Sequence, residues 1–140
     1  MKRILLDVNV VLDVLLDRAP FADASSEVWA AVERGKAEGL LSAHAVTTLH
    51  YLNAKAVGGR MARATTDALL SVFEVAGVDD AVLNAALSLN WTDFEDAVTA
   101  AAAKRAKCEA LVTRNPGDFK GSAVRVLTPS ETLAWLASSR

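Results

Sequence analysis

Asp7 follows the apolar run Ile4-Leu5-Leu6 and opens the phrase Asp7-Val8-Asn9-Val10-Val11-Leu12-Asp13. A carboxylate at the end of a buried strand packs badly, but it is well placed for chemistry. In open parallel sheets, ligands bind beyond the carboxyl ends of the strands. The pattern returns late in the chain, where Ala110-Leu111-Val112-Thr113 runs into Arg114-Asn115-Pro116-Gly117-Asp118. Between these two segments lies Asp93-Phe94-Glu95-Asp96 at the start of an alanine-rich stretch. Asp7, Asp93, Asp96, Asn115 and Asp118 are therefore the candidate catalytic residues. Asn9, Asp13 and Thr113 are candidate supporting polar groups.

Carboxylates forced together repel, and each has its pKa raised. A hard divalent cation relieves that repulsion. Mg²⁺ and Mn²⁺ prefer oxygen ligands and keep several waters, and such an ion generates hydroxide and offsets phosphate charge. Asp7 and Asp96 are the expected metal ligands. The chain has no cysteine and histidine set suited to zinc. His44 and His50, six apart, fall on different helix faces and read as polar or packing residues.

Each candidate also has an ordinary structural explanation. Asp7 or Asn9 could cap the helix after the first strand. Asp93 and Asp96, three apart, could simply complement a helix dipole. Asn115-Pro116-Gly117 is a turn signal in its own right. Arg114 and Lys120 could contact phosphates or be solvated surface cations, as could Arg60 and Arg63 further away.

The elements that would position these residues are legible from periodicity and punctuation. Arg3 to Val8 is expected to be a buried strand, with a short helix after it. Phe21 to Arg34, Ala45 to Val57 and Met61 to Phe73 are expected helices, and Gly58-Gly59 ends the middle one. Leu40-Leu41-Ser42, Val75-Ala76, Ala110 to Thr113 and Val124 to Leu127 are short strands. Asp79-Asp80 start another helix. Thr92-Asp93-Phe94-Glu95 reads as a capping box, with Thr92 at the N-cap and Glu95 reaching back. Thr128-Pro129-Ser130-Glu131 reads as a second box, with proline at the first helical position. Alternating strands and helices predict a three-layer α/β/α sandwich with a mainly parallel central sheet.

The 140 residues suit one domain, 1–140, and the 52% apolar fraction is enough for a core. A net charge of −2 rules out a polycation, so nucleic acid would have to meet a local patch or a metal. The single cysteine, Cys108, permits no intrachain disulfide. No apolar run approaches the ~18 residues of a membrane span, and Lys2-Arg3 precede too short an apolar stretch for a signal peptide. A cytoplasmic location without membrane association is expected. Trp29, Met61, Phe73, Trp91 and Trp135 exceed what a small alanine-rich core needs, which predicts an apolar patch and a two-fold homodimer.

Taken together, the three polar segments resemble the PIN-domain ribonucleases, including the VapC-like toxins of bacterial toxin–antitoxin pairs. Ile4 to Asp13 is similar to the opening strand and first acid of that family. Asp93-Phe94-Glu95-Asp96-Ala97-Val98 is similar to its central acidic helix, and Leu111 to Phe119 to its late strand and loop. The resemblance covers nearly the whole chain. It implies Mg²⁺- or Mn²⁺-dependent hydrolysis of an RNA substrate, with Asp7 and Asp96 at the metal-binding positions and Asn9 supporting the first. Asn115 falls where the family often has aspartate, and Asp118 is placed to substitute. The resemblance also implies a cognate antitoxin and adds to the expectation of a dimer. One departure stands out. An acid expected near Thr48 is missing, and no Asp or Glu occurs between Glu38 and Asp67. Asp13 or Asp93 would have to compensate. Otherwise the chain is an RNA- or protein-binding module on the same fold. A phosphatase with a nucleophilic aspartate after its first strand would need a second aspartate at position 9, which is Asn9.

Overall fold

A computed structural model describes residues 1–138. Five short strands form one sheet: β1 (Arg3–Leu6), β2 (Glu38–Ser42), β3 (Glu74–Ala76), β4 (Ala110–Val112) and β5 (Arg125–Leu127). Their order is β3-β2-β1-β4-β5, and every pairing is parallel. The helices are α1 (Val8–Leu15), α2 (Ala22–Glu33), α3 (Ala43–Val57), α4 (Gly59–Val72), α5 (Asp80–Leu89), α6 (Phe94–Arg105) and α7 (Pro129–Ser138). A 3₁₀ turn, Pro116–Phe119, follows β4. The three-layer sandwich expected from the alternation of elements is the fold found.

Both sheet faces are buried, so the strands lack polar alternation. Ile4, Leu6, Leu41, Ala110, Val112 and Leu127 pack on α1, α2, α3, α4 and α7. Leu5, Leu40, Ala76 and Leu111 face α5 and α6. On α6, Ala97, Ala100, Ala102 and Ala103 are buried against that second face, so small side chains carry its contact with the sheet.

The sheet grows outward from β1 in two directions, first to β2 and β3, then to β4 and β5. The reversal of direction falls between β1 and β4, and in open α/β folds ligands bind in the crevice beyond the strand ends at such a point. Leu6 pairs with Val112 and Leu5 with Leu40. Continuing both registers sets Asp7 level with Thr113 on one side and Ser42 on the other. Because side chains alternate along a strand, Asp7, Ser42 and Thr113 follow Leu5, Leu40 and Leu111 toward α6.

The helix ends bear out one expected capping box and shift the other. Thr128 and Glu131 form the predicted capping box: the Thr128 amide donates to Glu131 Oε1 (2.8 Å), and the Glu131 amide donates to Thr128 Oγ1 (3.1 Å). The other box is displaced by one residue. Asp93, not Thr92, caps α6, and its Oδ1 accepts the Asp96 amide at 3.1 Å. Two adjacent cap-competent residues compete here, and the carboxylate takes the position, which frees Glu95 from any capping role.

Most of the large apolar residues expected at the surface pack within the fold. Phe73 is buried and meets Trp29 edge to face, with ring centroids 5.5 Å apart. Trp91 meets Phe119 in the same manner at 6.0 Å, and Trp135 lies beneath the cations Lys2 and Arg125. Of the five residues named, only Met61 is exposed. It joins Tyr51, Val57 and Leu70 on the α3–α4 hairpin. Among the described residues, no helix is long and apolar enough to cross a membrane.

Gly39 in β2 shows how close α2 approaches the sheet. A Cβ there would lie 2.7 Å from both Val32 methyls and 2.9 Å from Phe73 Cδ1. Gly39→Ala should therefore destabilise the protein by about 1–3 kcal/mol, read as a lower urea midpoint with an unchanged slope. An unchanged midpoint would mean that α2 yields freely.

Candidate metal centre

Asp7 is the pivot of the site. Its Oδ1 accepts the Val8 amide at 2.8 Å, which caps α1, and its Oδ2 accepts the Thr113 hydroxyl at 2.9 Å. The capping reading of Asp7 therefore holds, and its second oxygen is held by the neighbouring strand end. The residue is buried. Burial pushes its pKa up, the two hydrogen bonds pull it down, and the charges of Asp118 and Asp93 raise it again.

Thr113 is fully buried and supports three neighbours through one hydroxyl. Besides donating to Asp7, its Oγ1 accepts the Asn115 amide at 3.2 Å and a long contact from Asn9 Nδ2 at 3.4 Å. Asn9 Oδ1 in turn accepts the Arg114 amide at 3.4 Å. Asn9 thus bridges α1 to the loop after β4.

The remaining acids arrive on two segments that share an aromatic anchor. Asn90, in the left-handed conformation (φ 59°), ends α5 and turns the chain toward α6. Trp91 precedes Asp93, Phe119 follows Asp118, and the two rings meet edge to face. Phe119 is buried, so the 3₁₀ turn is pinned to the core while Asp118 stays at the surface. The Asp118 amide donates to the Asn115 carbonyl at 3.0 Å, which closes this turn.

Asp96 is half-buried at the start of α6, and its pKa is raised to about 7. Burial is the largest cause, followed by the charges of Asp93, Asp7 and Asp118. Asp7, Asp93, Asp96 and Asp118 therefore share one electrostatic space, although they come from three distant segments. Within the described residues, no three His, Cys, Asp or Glu side chains close tightly enough on one point to grip an ion directly.

Ser42 and His44 are neighbours of the site that the sequence did not single out. Ser42 is fully buried, level with Asp7, and its hydroxyl has no partner. His44 opens α3, with its Nε2 3.4 Å from Thr99 Oγ1 on α6. Burial lowers its pKa, and the carboxylate and carbonyl of Glu95 oppose that shift. Glu95 thus faces His44 rather than the helix cap. The only available signal was that Ser42 ends a buried strand, as Asp7 and Thr113 do. At the position of the absent acid, the Thr48 hydroxyl donates to the His44 carbonyl at 3.3 Å.

The cations divide. Lys120 is exposed at the end of the 3₁₀ turn. Arg114 is not a free surface cation, because its Nε lies 3.1 Å from Asp13 Oδ2 and its guanidinium sits 4.3 Å over the Phe21 ring. Asp13 is fully buried, away from the other acids, and paired with arginine, so it does not fill the place of the missing carboxylate. Arg60 and Arg63 lie with His50 in a groove of about 500 Å³ between α3 and α4.

Comparison with known proteins places this arrangement. The family model of the PIN domain matches residues 3–116, and the chain belongs to that family. No match was found among curated protein sequences. Several solved structures share the fold at low identity. DNA-bound VapBC from Salmonella typhimurium aligns with a TM-score of 0.73 and 17% identity, over 92% of this chain and 99% of the other. A toxin–antitoxin complex from Klebsiella pneumoniae gives 0.68 and 23%, over 89% and 96%. Mycobacterium tuberculosis VapC20, a sarcin–ricin loop cleaving toxin, gives 0.64 and 17%, over 77% and 86%.

The raised pKa of Asp96 has a definite sign. Folding favours its protonated form, so its contribution to stability is fully present below about pH 4 and is lost as pH rises through about 7. With chelator present, wild type should lose melting temperature across that window, and Asp96→Asn should flatten the decline. Parallel pH profiles for the two proteins would show that Asp96 titrates as an ordinary carboxyl.

Proposed function

We propose that this chain is a Mg²⁺- or Mn²⁺-dependent endoribonuclease and the toxin of a toxin–antitoxin pair. One observation carries the reading. Four carboxylates from three distant segments act on one another beyond the β1–β4 reversal, and burial together with their charges raises the Asp96 pKa to about 7. Such a cluster is costly unless a cation joins it.

The donor set suits that cation. The clustered side chains Asp7, Asp93, Asp96 and Asp118 all offer oxygen, as hard divalent ions require. The buried Ser42 hydroxyl, unpartnered beside Asp7, adds another oxygen donor. Because no three acids converge tightly, Asp7 and Asp96 would hold the ion largely through water, and weakly. When bound, the ion supplies Lewis acidity that activates water and offsets phosphate charge.

The chain's own residues do the positioning. Thr113 and the Val8 amide fix both oxygens of Asp7. Asp93 spends one oxygen on capping α6 and keeps the other for the crevice. Asn115 and Asp118 come from the turn after β4, and Lys120 at its end would meet an RNA phosphate. The antitoxin partner is inferred from structural neighbours that are toxin–antitoxin complexes. The exposed apolar side chains of α3 and α4 are the surface for self-association.

A second reading follows from Thr48. With no acid at that position, the fold could serve as an RNA- or protein-binding module that does not cut. Mn²⁺ calorimetry separates the two, since a ribonuclease should bind the ion and Asp7→Asn should weaken that binding. Equal affinity in both proteins would sink the metal assignment.

Asp96→Asn should lower cleavage of a mixed RNA pool by about two to three orders of magnitude while the protein stays folded. Cleavage at the wild-type rate would refute the role of Asp96. Light scattering should show a dimer that Met61→Glu with Leu70→Glu converts to a monomer. A wild-type monomer mass at every concentration would remove the dimer.

A further inference from the structure

Asp13 and Arg114 meet on the face of the sheet opposite the acid cluster. Asp13 is on α1 with no exposed surface, and Arg114 directly follows Thr113. Side chains alternate at the end of β4, so Thr113 reaches Asp7 while Arg114 reaches back under α1. Arg114 Nε lies 3.1 Å from Asp13 Oδ2, and Arg18 Nη1 lies 3.7 Å from Asp13 Oδ1. Neither Asp13 oxygen has an aligned hydrogen bond, so the attraction is between charges rather than along N–H bonds. Phe21 covers the guanidinium face at 4.3 Å.

We propose that Asp13 and Arg114 form a clamp that positions the Thr113–Asp118 loop, and through Thr113 the carboxylate of Asp7, and that Arg114 does not bind RNA. A buried aspartate is tolerable only with a partner. Here Arg18 lies on one side, and the nearer partner, Arg114, comes from the loop that also supplies Thr113 and Asn115. Burying Asp13 therefore fixes where that loop begins. The Arg114 amide on Asn9 Oδ1 ties the same residue to α1 a second time. Arginine suits the post because its flat guanidinium stacks on Phe21 while facing a carboxylate, which a lysine ammonium cannot do. Both are positioning residues, since neither side chain reaches the crevice.

The kinetic arm of the test rests on the ribonuclease reading; a second arm does not. Single-turnover cleavage of one single-stranded RNA with Mn²⁺ is compared for wild type, Asp13→Asn, Arg114→Lys and Arg114→Gln. Positioning lowers the maximal rate by about tenfold or more in all three variants. It leaves the half-saturating RNA concentration and its salt dependence as in wild type. A phosphate contact gives a different pattern, which overturns the proposal: Arg114→Gln alone binds RNA more weakly, with a salt slope reduced by about one. If single variants fail to fold, Asp13→Leu with Arg114→Met removes both charges together and keeps the site filled. That protein should be stable and slow, and wild-type speed would refute the clamp.

The second arm needs neither RNA nor metal. Amide hydrogen exchange at Asn115, whose N–H donates to Thr113 Oγ1, should quicken by about tenfold or more in Asp13→Asn and Arg114→Lys. Amides of α6 should be unaffected. Unchanged exchange at Asn115 overturns the proposal. A wild type that cuts no RNA, with Asn115 loosened in the variants, would sink the ribonuclease reading and leave the clamp standing.

Discussion

The pairing of β1 with β4 is the constraint on which the rest of the site depends. Leu6 opposite Val112 brings Asp7 beside Thr113, a residue 106 positions away in sequence. The Asp7 amide continues the ladder by donating to the Val112 carbonyl at 2.9 Å. A shift of one residue would turn Thr113 to the other face, because strand side chains alternate. The aspartate would then lose its hydroxyl donor, and Asn9 and Asn115 would lose their common acceptor. Hydrophobic packing on both sides of β1 and β4 enforces the register.

Each acid of the cluster is held by something other than a positively charged partner. Asp7 caps α1, Asp93 caps α6, and Asp118 sits beside a buried phenylalanine. Asp96 lies between Asp93 and an alanine face that cannot move away from the sheet without losing buried area. The fold therefore tolerates repulsion among its carboxylates because caps and packing oppose it locally. Functional sites commonly carry such local strain, which the surrounding core sustains.

Much of this was legible in the sequence for definite reasons. Short apolar runs bounded by acids marked β1 and β4, and proline after Thr128 marked α7. Asp7 stood out because it interrupts an apolar stretch, and Asp96 because it borders the alanine-rich one. Other features were invisible for equally physical reasons. Thr92 and Asp93 are both good caps, and only the path of the chain out of Asn90 decides between them. Trp91 read as an excess apolar residue, but its contact with Phe119 across two loops makes it an anchor. Arg114 and Asp13 read as independent polar residues because their 101-residue separation hides a close contact. Ser42 carried no signal beyond its place at a strand end.

The alanines of α6 bear on how the crevice keeps its width. Ala97, Ala100, Ala102 and Ala103 let the helix axis ride low over the sheet, so the height of Asp96 above the strand ends is set by methyl groups. A helix seated on leucines would stand further off and carry its first turn with it. The separation of the carboxylates is thus a packing dimension, adjustable in steps of one side-chain carbon by residues that never meet a ligand. Within this fold, divergence at such buried positions would retune the spacing between acids while leaving the acids themselves unchanged.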